Sequence, residues 1–139
     1  GRFREAIECT EKALLVNPGY ANAYYTKGMN HTALGEKTEA LNSFNRAIEF
    51  NSGDPDFFLM KGNLYLEWRN GDEALKCFNL STKIDPGYVP GYSGKGDALL
   101  LVGELEAALK AYDKAISLNP HYPSAHSGRA AAMKAKKPQ

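Results

Sequence analysis

A single spacing, 34 residues, recurs along the chain and limits its fold more than any other feature. Asn17-Pro18, Asp85-Pro86 and Asn119-Pro120 each close a stretch of helical pattern; 86 − 18 = 68 is two periods and 120 − 86 = 34 is one, with Ser52, after Asn51, in the missing place. The same step links Gly28, Gly62 and Gly96, with Ala130 next, and links Ala6, Ala40, Ala74 and Ala108. A third column runs Thr10, Phe44, Phe78 and Tyr112, and a fourth runs Tyr24, Phe58, Tyr92 and His126. A fixed period of about 20 to 50 residues marks a stack of like units, each too small to bury its own apolar face and each covered by its neighbours.

The segments between the breakers are helical in pattern. Tyr24, Gly28 and His31 stand at i, i+4 and i+7, as do Ala40, Phe44 and Ala47, so each set forms one face of an amphipathic helix. Gly28 and Ala40 let two helices approach closely, and the rings of Tyr24 and Phe44 fill the space beside that contact. Gly35 and Gly103 supply the left-handed residue that ends a helix and turns the chain back. In the second unit the turn signal moves to Asn70-Gly71, which predicts a turn of different detail. Proline at 18, 86 and 120 bars helical geometry in the residue before it, and Asp54-Pro55 is an N-cap followed by proline at the first helical position. The pattern predicts an all-α chain with helices over 2–16, 21–34, 37–51, 55–68, 71–84, 89–102, 105–118 and 123–136.

These residues resemble the tetratricopeptide repeat family, whose unit carries an aromatic, Leu-Gly, an aromatic, Ala, an aromatic, Ala and Pro over 34 residues. Val89 to Tyr122 matches best, with Tyr92, Gly96, Ala108, Tyr112, Ala115 and Pro120 in place. Ser81 stands where an alanine is usual, Ser52 where a proline is, and Lys27, Lys61, Lys95 and Arg129 where the family has leucine. The resemblance implies a right-handed α-solenoid superhelix of antiparallel helix hairpins. It divides the chain into the second helix of a truncated repeat over 1–20, repeats over 21–54, 55–88 and 89–122, and over 123–139 the first helix of a further repeat or a capping helix with a basic tail, all in one solenoid domain. Gly1 to Ala6 aligns with Gly103 to Ala108, so the chain is expected to open at a hairpin turn as a piece of a longer array. Phe3, Ile7 and Leu14 on the uncapped first helix would then favour a homodimer or end-to-end stacking.

Members of the family usually bind peptides along the concave wall, which the first helix of each pair lines. On these helices a stripe one residue away from the hairpin contact faces the groove. Here it comprises Asn22, Tyr25, Met29 and Thr32, then Asp56, Leu59, Met60, Asn63 and Leu66, then Ser93, Asp97 and Leu100. Pro90 and Ser124 extend it. One subclass grips a C-terminal carboxylate with lysine, arginine and asparagine on three successive first helices, because a desolvated carboxylate needs charge pairing and hydrogen bonds. Asn63 fits that pattern, whereas Leu59, Gly94, Ser124 and Gly128 occupy the other positions, so the clamp is not expected. The favoured function is a protein–protein interaction scaffold that holds an extended or helical segment through apolar anchors on Tyr25, Met29, Leu59 and Met60. Two alternatives are self-assembly through the first helix and service as the targeting arm of a larger enzyme.

Composition excludes other classes. Of 139 residues, 43% are apolar, enough for a core, and 17 Lys plus Arg against 16 Asp plus Glu lack the basic excess that nucleic acid demands. No run approaches the roughly 18 apolar residues of a membrane span. Cys9 and Cys77 lie in one column two periods apart, too distant for a disulfide and too few for a zinc site, and thiols of this kind point to a cytoplasmic setting. His31, His121 and His126 lack partners at triad or metal spacing, and Gly94-Lys95-Gly96 reads as a helix-packing site, so no catalytic residue, cofactor or metal is expected. The basic column from Lys27 to Arg129 reads as aliphatic stems over apolar surface, with acids such as Glu39 and Glu73 balancing the charge.

Overall fold

A computed structural model of the chain describes residues 1–137, and these form eight helices: α1 (Arg2–Val16), α2 (Ala21–Ala33), α3 (Lys37–Phe50), α4 (Pro55–Glu67), α5 (Gly71–Ile84), α6 (Val89–Leu101), α7 (Leu105–Leu118) and α8 (Pro123–Lys136). Every end falls within one residue of the position read from the sequence. The helices pair as antiparallel hairpins, α2 with α3, α4 with α5 and α6 with α7, in a right-handed α-solenoid. Along one wall α4 packs on α6 and α6 on α8, and no second helix makes a comparable contact with the next second helix. The array therefore closes toward its first helices, and their shared wall is concave.

A ring held between glycines carries the stacking. A Cβ on Gly62 would stand 2.7 Å from the Phe78 ring, and one on Gly94, in the next hairpin, 2.5 Å from the same ring. Gly96 and Gly128 flank Tyr112 in the same way, and Gly28 meets Phe44. Each ring thus touches the bare backbone of its own first helix and, for Phe78 and Tyr112, of the following one. Phe44, Phe78 and Tyr112 are all fully buried. Over Phe44 the second glycine is replaced by Met60, whose flexible chain covers the ring instead. Gly94-Lys95-Gly96 is accordingly a packing site, with its two glycines serving two different rings.

Side chains, more than proline, fix the joints between hairpins. Asn17, Asn51, Asp85 and Asn119 each accept a hydrogen bond through Oδ1 from the backbone N–H two residues on, at 2.9 to 3.3 Å. Because Asn51 makes this bond to Gly53 at 3.0 Å, the turn survives with Ser52 in the proline's place. Tyr24 and Tyr92 donate from their hydroxyls to the carbonyls of Pro18 and Pro86, and His126 Nε2 donates to Pro120 at 2.7 Å, tying each joint to the following helix. The one unit without this proline has Phe58 in that column. Ser81 keeps its place in the core by donating to the Phe78 carbonyl at 2.7 Å.

The turn between α4 and α5 corrects the reading of Asn70-Gly71. It has the same conformation as its equivalents: Arg69 takes the left-handed position, φ 57°, that Gly35 and Gly103 take at φ 76° and 85°. Gly71 instead begins α5 and is buried, where a Cβ would lie 2.5 Å from Val102 Cγ1. A side chain in the left-handed region costs about 1–2 kcal/mol, and glycine's extra freedom in the unfolded chain returns part of that. Arg69→Gly is therefore expected to raise unfolding stability by up to about 1 kcal/mol, measured as a rise in urea midpoint at unchanged slope. A fall would show that the Arg69 side chain stabilises the turn.

The first helix also differs from expectation. Ile7 is buried beneath its neighbours and Leu14 is half-covered, so the large exposed apolar residues on α1 are Phe3, Leu15 and Val16. Arg4 ties α1 to the α2–α3 turn with a 2.7 Å bond to Glu36, which also lies 3.0 Å from His31 Nδ1. These contacts, Arg4 first, hold the Glu36 carboxyl below its ordinary range.

Candidate peptide groove

The concave wall gathers side chains from three successive first helices into one hollow of about 170 Å³. Leu59 and Asn63 come from α4, Pro90, Ser93, Gly94 and Asp97 from α6, and Ser124 from α8, with Tyr122 at the joint before it. Six members of the stripe read from the sequence, Leu59, Asn63, Pro90, Ser93, Asp97 and Ser124, are thus brought together. The hollow forms here because Gly94 and Gly128 let α6 and α8 sit directly on the rings of the preceding hairpins.

Its floor is polar. The Tyr112 hydroxyl, reaching past Gly128, donates to Asp97 Oδ1 at 2.6 Å. Burial pushes the Asp97 carboxyl above its ordinary range, and the Tyr112 bond offsets only part of that. Just ahead of α6, Tyr88 donates to Asp56 in the first turn of α4, and burial first, then this bond, drives the Tyr88 hydroxyl far up.

The other expected groove residues do not line this hollow. Tyr25 packs against Phe44 and Phe57 with ring centroids 5.9 and 5.0 Å apart, and Met60 covers Phe44, so both are half-buried against the core between the first two hairpins. Leu66 packs on the Ala74–Phe78–Ala98 core, with Leu59 also half-covered there, and Leu100 packs on the core formed by α6, α7 and α8. Asn22 lines a separate hollow between α1 and α2 with Cys9 and Thr10. Thr32 returns its hydroxyl to the Gly28 carbonyl at 2.9 Å, and Met29 is exposed on α2 away from the hollow. Tyr122 is absent from the stripe read from the sequence; its signal is the aromatic one period after Tyr88, in the position just before α2, α6 and α8 that Asp54 takes before α4.

Two hollows on the opposite flank repeat one another, Tyr92, Lys95 and Lys114 lining one and Tyr24, Lys27 and Arg46 the other, with 92 − 24 = 68. The basic column is balanced at its ends by acids sixteen residues earlier: Lys27 pairs with Glu11 at 3.2 Å and Arg129 with Asp113 at 2.7 Å. Glu73 bonds Lys76 rather than Lys61. Asn45 and Asn79 hold the acid's column before Lys61 and Lys95, which make no ion pair among the described residues.

Cys77 is buried, and that burial pushes its thiol up to about 11, whereas Cys9 is exposed; both are free. Among the described residues no group of three or more His, Cys, Asp or Glu is placed to hold a metal ion, and no helix is long and apolar enough to cross a membrane.

Family models described as tetratricopeptide repeat match residues 1–55 and 55–88, and one described as TPR repeat matches 96–137. The chain belongs to the tetratricopeptide repeat family. Among solved structures, MamA superposes with a TM-score of 0.87 at 20% identity, over 96% of this chain and 78% of that one. The first TPR of Spaghetti (RPAP3), bound to the HSP90 peptide SRMEEVD, gives 0.79 at 22% identity over 83% and 91%. YrrB, described as having an unusual peptide-binding site, gives 0.80 at 21% over 97% and 70%. At these identities the likeness carries the fold alone. No curated protein matches the chain in sequence.

Proposed function

We propose that the chain is a protein-interaction scaffold that holds a segment of a partner protein along its concave wall, centred on the hollow between α4, α6 and α8. One observation carries this reading: three successive first helices converge there on a single recess lined by both apolar and polar side chains. Solved relatives that bind HSP90 and HSP70 peptides share the architecture. The mode of grip differs, because the positions that a carboxylate clamp fills with lysine, asparagine and arginine hold Leu59, Gly94, Ser124 and Gly128 here, with Asn63 the one match. Leu59 is the apolar anchor, and Tyr25 and Met60 support the groove from the core.

Selection of a peptide display library on the whole chain, followed by amide NMR mapping of the winners, tests this. Binders are expected to shift Leu59, Asn63, Ser93 and Ser124. Binders whose shifts fall on the outer flank around Lys95 and Lys114, or no binders at all, would remove the groove as the site.

A further inference from the structure

Ser93, only 3% exposed, lines the concave hollow, and its Oγ makes no hydrogen bond. One helical turn on, Asp97 also lines the hollow; its Oδ1 is occupied by the Tyr112 hydroxyl, while Oδ2 accepts no hydrogen bond from the described residues. Asp97 has no cationic partner among the described residues, and no lysine or arginine lines the recess. Asn63 and Ser124 add further oxygens.

A buried hydroxyl without a partner and a desolvated carboxylate without a counter-ion are both costly states, and one kind of ligand relieves both. We propose that this recess holds a lysine or arginine side chain of the bound segment, its head donating to Asp97 Oδ2 and Ser93 Oγ and its aliphatic stem lying against Leu59, Pro90 and Tyr122. The inference rests on the concave wall being the peptide site and specifies what that site selects. It reverses the charge preference of a carboxylate clamp, since the groove offers an anion where a clamp offers cations. The relative solved with SRMEEVD holds a peptide rich in acids; this recess would repel such a sequence at Asp97.

Asp97→Asn is the informative variant, because Asn keeps an oxygen for the Tyr112 hydroxyl and loses only the charge. Burial raises the folded pKa above the unfolded one, so ionised Asp97 subtracts from stability once pH exceeds the ordinary carboxylate range. The variant should melt no lower than the parent at neutral pH, any gain fading as pH falls into that range.

Peptides selected on the parent chain are expected to carry Lys or Arg at one fixed position, the two arms of the same chemistry. Replacing that residue by norleucine should weaken binding at least about tenfold to the parent, and far less to Asp97→Asn. Peptides that shift Leu59 and Ser93 but carry no basic residue, or whose norleucine versions lose equally on both proteins, would overturn this inference and leave the groove standing. If no selected peptide shifts the groove, the groove reading itself falls and takes this one with it.

Discussion

Phe78→Ala should cost about 3–5 kcal/mol, a large share of the roughly 5–15 kcal/mol that holds a domain of this size together. The ring is fully buried, and what surrounds it cannot easily collapse into the space. Gly62 and Gly94 present backbone to its two sides and Ala74 and Ala98 complete the buried cluster, so the cavity could be refilled only by pulling Leu59, Tyr65, Leu66 or Leu75 out of their own packing around its edge. The loss also falls at a particular place. In a repeat array each unit is stabilised by its neighbours, and Phe78 joins the second hairpin to the third. Urea unfolding followed by far-UV circular dichroism should therefore show a lower midpoint and two separable steps, as the α6–α8 segment uncouples from α1–α5. A single transition with a loss below about 1 kcal/mol would mean that the helices close around the gap and that the ring is not the joint between units.

The fold was legible because its signals are local and redundant. The joint residues Asn17, Asn51, Asp85 and Asn119, the rings and the glycines all repeat at one spacing, and an error at Ser52 was corrected by Asn51 beside it. Where one residue stood alone the reading failed. Arg69 gives no hint that it takes a glycine's backbone conformation, because the surrounding hairpin and not the residue type imposes it. The groove was half legible. A helical stripe predicts a face but not the depth of its residues: Tyr25 and Met60 sink into the first interface because a methionine, not a glycine, lies over Phe44, while Ser93 and Asp97 remain in the recess because Gly94 and Gly128 bring their helices close. The pairing of Asp97 with Tyr112 crosses 15 residues and two helices, which no pattern on a single helix can report. The charge balance of the basic column was expected from Glu39 and Glu73, but it comes from Glu11 and Asp113, one helix earlier.

Gly128→Val should detach α8 while leaving the earlier hairpins folded. A Cβ at this position would collide with the Tyr112 ring and hydroxyl, and Tyr112 cannot retreat, because the bare backbone of Gly96 backs the ring on its other side, where even an added Cβ would come within 2.5 Å, and its hydroxyl is bonded to Asp97. Valine adds two further methyl groups at the same spot, and overpacking of this kind costs about 1–3 kcal/mol even where some movement is allowed. Among the described residues α8 packs on α6 and α7 alone, so displacing it costs less than deforming the core beneath it. Hydrogen exchange should then show α8 amides losing protection while those of α4 and α5 keep theirs. Peptide binding should fall with it, since Ser124 leaves the recess and Asp97 opens to water. Gly128→Ala, with one carbon to accommodate, should give the same pattern more weakly. Uniform loss of protection across all eight helices would instead mean that the array unfolds as one body and that α8 is bound into its stability as firmly as the centre.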